Sequence, residues 1–103
     1  MDERLLGPQE ISRRLGDRRG WRQVGAEIRR EFRFAGFPEA VAFVQALVAP
    51  AERMEHHPDV DIRYDMVTVR LSTHSLGGLT ALDFRLAELI DGLAAAALGS
   101  DAV

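Results

Sequence analysis

Between residues 60 and 74 the side chains change character at every step. Val60, Ile62 and Tyr64 alternate with Asp61 and Arg63, while Val67, Val69, Leu71 and Thr73 alternate with Thr68, Arg70, Ser72 and His74. A period of two is that of a half-buried strand. The runs meet at Asp65-Met66, which leaves room only for a tight antiparallel hairpin. One face of that hairpin is apolar and needs cover. The same parity predicts Tyr64 as a core aromatic beside Val60 and Ile62, and puts His74 on the polar side at the far end of the second strand.

The flanking segments supply the cover. Pro8 and Gly16 bracket a short helix over Gln9 to Leu15, with Leu6, Ile11 and Leu15 on its apolar side. From Trp21 to Phe34 alternation returns in Ile28, Phe32 and Phe34, predicting a second hairpin that turns near Gly25-Ala26. Pro38 opens a long helix whose apolar positions are Phe37, Ala40, Val41, Val44, Leu47, Val48 and Ala51. Pro50 interrupts it, since an interior proline costs about 3 kcal/mol, and a kink or break is expected between Ala49 and Ala51. That helix ends by His57-Pro58. After Gly77-Gly78, Thr80-Ala81-Leu82-Asp83 reads as a capping box with Asp for Glu. It starts a last helix with a stripe of Leu82, Leu86, Leu89, Ile90, Leu93 and Ala97. The order is αββαββα: one α+β domain spanning residues 1–103, a four-stranded antiparallel sheet with helices packed on one face. Its uncovered edges invite another subunit.

Composition narrows the chemistry. The 103 residues include no Cys and no Lys; all 13 basic residues are Arg, against 16 acidic ones. Thiolate nucleophiles, disulfides, Cys-ligated zinc, Schiff bases and phosphate-loop lysines are therefore excluded. The three histidines, 56, 57 and 74, remain as the groups that titrate near neutrality. Residues 1–34 carry nine Arg and six acids, the rest four Arg and ten acids. Asp17, Glu27 and Glu31 interrupt the basic run, so it reads as a solvated face rather than a nucleic-acid surface. The stretch Ala40 to Ala49 is too short to span a bilayer. Met1-Asp2-Glu3-Arg4 has no signal-peptide pattern, and a cytoplasmic location is expected.

Ionisable groups gather in Glu52-Arg53-Met54-Glu55-His56-His57-Pro58-Asp59. Adjacent helical residues point about 100° apart, which disfavours a two-histidine helical zinc motif. Three readings are open. The pair is a polar helix cap favoured by the dipole, or it borders a cleft with His74, or the three histidines bind a metal with Glu52 or Glu55 as a hydrolase.

Glu52-x3-His56-His57-Pro58, then Tyr64, then Ser72-Thr73-His74, then Asp83 resembles the signature of the pterin-4a-carbinolamine dehydratases, or 4a-hydroxytetrahydrobiopterin dehydratases. Five residues separate Pro58 from Tyr64, nine separate Tyr64 from His74 and eight separate His74 from Asp83. Gly20-Trp21, Phe32-Arg33-Phe34, Phe37 and Gly78-Leu79-Thr80 extend the likeness.

The resemblance implies the αββαββα fold and a hydro-lyase that removes water from 4a-hydroxytetrahydropterin, giving quinonoid dihydropterin in tetrahydropterin recycling. It implies no metal or other cofactor. It assigns acid–base work to His56 and His74 and substrate binding to His57, with Glu52 orienting a histidine and Ser72 and Thr73 offering backbone groups to the pterin. Asp83 reads instead as the cap partner of Thr80. Val60 departs from the family, where Trp is common, and Pro50 interrupts the helix that leads into the site. The resemblance also implies homodimers or homotetramers. The alternative within the same fold is a non-catalytic dimerisation or assembly scaffold.

Overall fold

The computed structural model describes residues 4–98; Met1-Asp2-Glu3 and residues 99–103 lie outside them. Along the chain run α1 (Pro8–Gly16), β1 (Arg22–Val24), β2 (Glu27–Arg33), α2 (Phe37–Ala46), α3 (Val48–Met54), β3 (Asp59–Arg63), β4 (Met66–Leu71), a 3-10 turn (His74–Leu76) and α4 (Ala81–Leu98). The expected order holds, with the middle helix in two pieces. The four strands form one antiparallel sheet in the order β1-β2-β4-β3.

Alternation makes the layers. Ile28 pairs with Leu71, Phe32 with Val67, and Val60 and Ile62 with Val69 and Val67. These side chains share one face and pack beneath Phe43, Leu47, Phe84, Leu86, Ala87 and Ile90 of the helical layer. Arg29, Glu31, Thr68 and Arg70 point from the other face. Phe32, Phe34 and Phe43 form a tilted aromatic cluster with centroids about 5 Å apart.

Five details differ from the alternation and periodicity. The β3–β4 turn is Tyr64-Asp65, one residue earlier than expected, because Arg63 pairs directly with Met66. Tyr64 takes φ 54° there and is 71% exposed, so it is not a core aromatic. The helix breaks at Leu47, ahead of the expected 49–51. Proline has no N–H for the carbonyl four residues back and its ring clashes with it; that carbonyl belongs to Ala46, so α2 ends there and Pro50 falls in the first turn of α3. In α2 and α3, Phe37, Val41 and Val48 lie exposed while Phe43 fills the core. In α4, Leu89 and Ala97 face out, and Phe84, Ala87 and Ala94 take their inward places.

At the far end of α4, Asp91 ties the helical layer to the sheet. It accepts from Trp21 Nε1 at 2.9 Å, Arg30 at 3.0 Å and Arg18 at 3.1 Å. Other N-terminal arginines also meet acids: Arg13 and Arg14 reach Glu10, Arg29 reaches Glu27 and Arg33 reaches Asp65. No helix among the described residues is long and apolar enough to cross a membrane.

Candidate active site

The end of α3 decides which histidine goes in and which stays out. Glu55 adopts the left-handed conformation at φ 51°, and the His56 amide reaches back to the Ala51 carbonyl at 3.0 Å. This is the bonding pattern of a Schellman ending. The reversal buries the His56 side chain and leaves His57 at 61% exposure, after which Pro58 leads into β3.

The three histidines each have a carboxylate. His56 Nε2 lies 2.6 Å from Asp83 Oδ1, with Asp83 fully buried. His57 Nε2 lies 2.6 Å from Glu52 Oε2 at the surface. His74 Nε2 stands 3.5 Å from Asp59 Oδ2, so the 3-10 turn comes to the strand start just beyond His57-Pro58. An imidazole hydrogen-bonded to a carboxylate is held in orientation. Among the described residues no three His, Asp or Glu side chains converge as a metal cage.

The loop carrying His74 is held from within. The Thr73 amide donates to the Gly78 carbonyl at 2.8 Å, and the Thr73 carbonyl accepts from Leu76 and Gly77 at 3.0 Å and from Gly78 at 3.4 Å. Its side chain is buried. Thr73 thus spends its groups on the protein and projects His74 outward. The Ser72 hydroxyl donates to the Ala26 carbonyl at 2.7 Å. Ser72 and His74 line an open cavity of about 280 Å³ whose opposite wall is Val24, Ala26 and Glu27 of the β1–β2 turn, with Gly77 beside it.

Asp83 has two tasks. The capping box is present: Asp83 Oδ2 accepts the Thr80 amide at 2.9 Å, and Thr80 Oγ1 accepts the Leu82 amide at 3.2 Å. The other carboxylate oxygen is the one that holds His56. Sequence reasoning gave Asp83 the cap alone, although its place as the last position of the matched pattern signalled more. Asp59 was missed as a partner for His74; an acid directly after His-Pro carries no distinguishing signal of its own.

Residues 4–93 match the sequence profile of the family described as pterin 4 alpha carbinolamine dehydratase. A Roseiflexus castenholzii protein with the provisional name pterin-4-alpha-carbinolamine dehydratase is 53% identical over 87 residues, covering 84% of this chain and 94% of that one. A like-named Thermosynechococcus vestitus protein is 46% identical over 94 residues, covering 91% and 98%.

Among solved structures, a transcriptional coactivator/pterin dehydratase from Brucella melitensis superposes with a TM-score of 0.85 at 33% identity, covering 88% of this chain and 99% of that one. A pterin dehydratase-like protein described as a RuBisCO assembly factor in the alpha-carboxysome shares the fold, with a TM-score of 0.58 at 24% identity and coverage of 72% and 86%. The profile spans residues 4–93, two relatives align over 94% and 98% of their own lengths, and the solved fold is the same: the chain belongs to the pterin 4 alpha carbinolamine dehydratase family.

Proposed function

We propose that the protein is a hydro-lyase that dehydrates a 4a-hydroxytetrahydropterin to the quinonoid dihydropterin, recycling a tetrahydropterin. The observation that carries this reading is the set of three histidines, each with a carboxylate within 3.5 Å, at the junction of α3, β3 and the 3-10 turn. Dehydration asks for two proton transfers. One group delivers a proton to the departing 4a-hydroxyl; another removes the proton from N5, whose bonding electrons form the N5–C4a double bond as the C–O bond breaks. Imidazoles perform both near pH 7. His56 and His74 take the acid–base roles, and exposed His57, oriented by Glu52, contacts the substrate. The cavity beside His74 and Ser72 approaches the size of small-ligand sites, about 300 Å³ upward. Thr73 contributes by anchoring the His74 loop. No metal or other cofactor has a part in this chemistry.

The test is a stopped-flow record of dehydration of chemically generated 4a-hydroxytetrahydropterin with and without the protein, in a strong chelator. Acceleration that survives chelation supports the reading, and loss on chelation returns the metal-hydrolase alternative. Two accompanying readings are a cytoplasmic location and a homo-oligomer. The exposed apolar side chains Phe37, Val41 and Val48 favour the second, and they would equally serve a non-catalytic scaffold, a role compatible with the enzyme.

A further inference from the structure

Resting on the dehydratase reading, we propose that Thr73 and Thr80 are positioning residues that turn Oδ1 of Asp83 onto His56, where that oxygen fixes the ring's tautomer and leaves Nδ1 as its working nitrogen. The hydroxyl protons can be placed by counting. Thr73 Oγ1 donates its single proton to Asp83 Oδ2 at 2.9 Å. The contact of 2.8 Å between Thr73 Oγ1 and Thr80 Oγ1 must then be donated by Thr80. Thr80 Oγ1 still accepts the Leu82 amide. Asp83 Oδ2 therefore receives two donors, the Thr73 hydroxyl and the Thr80 amide, and Oδ1 faces His56 Nε2.

An ionised carboxylate only accepts, so in the neutral ring Nε2 carries the proton. Among the described residues Nδ1 has no hydrogen-bond partner, and no buried side-chain nitrogen or oxygen there lacks one. Nδ1 is thus the edge of this buried ring that meets solvent, and with it the substrate.

The arrangement dictates what an amide would do in place of the carboxylate. In Asp83→Asn the two donors at the Oδ2 position accept only an oxygen there, which turns the NH2 toward Nε2. Nε2 must then become the acceptor and the proton must move to Nδ1. The helix cap survives, because the amide oxygen still receives the Thr80 N–H.

Ring nitrogen signals of the ¹⁵N-labelled full chain, recorded without substrate at a pH where the rings are neutral, test this directly. The wild type should show His56 protonated at Nε2, and Asp83→Asn should show it at Nδ1. Dehydration by that variant should fall by up to about 10⁴-fold, the scale of a wrong-tautomer carboxylate-to-amide change elsewhere. If that variant fails to fold, Thr73→Val should move the His56 Nε2 proton signal and slow dehydration, with both restored in Thr73→Ser. A wild-type His56 protonated at Nδ1, an unchanged tautomer in folded Asp83→Asn, or a Thr73→Val signal identical to wild type would each overturn the proposal. An inactive wild type with the Nε2 tautomer would overturn the dehydratase reading instead, leaving the positioning network standing.

Discussion

Tyr64 shows how one backbone angle overrides a strand pattern. Alternation assigns it to the core, but the chain reverses there, and a non-glycine residue at φ 54° bears the steric cost of the left-handed region, about 1–2 kcal/mol. Its ring, 71% exposed, recovers little of that cost. Tyr64→Asn, a residue that tolerates this region, is expected to raise stability by about 0.5–1 kcal/mol. Urea denaturation with an unchanged m-value would show it; a loss of more than about 1 kcal/mol would mean the ring packs on something essential. The histidines were legible as residues from composition and spacing. Their partners were less so: Asp83 lies 27 residues from His56, and no local pattern reports which carboxylate turns toward which ring.

At the scale of elements, periodicity found β2, β3, β4 and the helices, because each covers one face; β1, exposed at all three positions, followed only as the hairpin partner of β2, and proline punctuation found the break in the middle helix. It did not show which face of α2, α3 and α4 turns inward, since Phe37, Val41, Val48 and Leu89 are as apolar as the residues that do. The choice depends on the sheet beneath, which no window of one helix contains. Asp91 is the clearest electrostatic joint between α4 and the sheet. Burial pushes its carboxyl above the ordinary 3.8, against the downward pull of the Trp21 indole N–H and of Arg30 and Arg18. The folded protein thus holds that proton more tightly than the unfolded chain. The corresponding stability is present below pH 3.8 and lost as pH rises through the higher folded value. Asp91→Asn removes the titration, so the stability of wild type relative to this variant should fall as pH rises from below 3.8 through the higher folded value. Urea unfolding across that range measures it, and a rising difference would mean that the two arginines outweigh burial.

For the whole molecule, the sheet's helical layer holds the core and leaves the apolar side chains of Phe37, Val41 and Val48 exposed. If copies of the chain meet there, the double variant Val41→Glu, Val48→Glu will elute as monomer at concentrations where wild type is oligomeric. Light scattering decides it, and an unchanged mass would place the interface elsewhere. The α+β architecture was legible in the sequence because two hairpins and their helical cover leave few ways to bury alternating faces. The site was legible as three histidines and the Glu52 that meets one of them, but not as an assembly, since that needs the α3 reversal, the 3-10 turn and the N-terminus of α4 to meet. The central claim is that those histidines perform acid–base dehydration. Its most direct measurement is the dehydration rate of 4a-hydroxytetrahydropterin with wild type and with the variant carrying both His56→Ala and His74→Ala. The expected result is a fall of at least about 10²-fold, the usual worth of one general acid or base, in a variant that still folds. An unchanged rate would contradict the account.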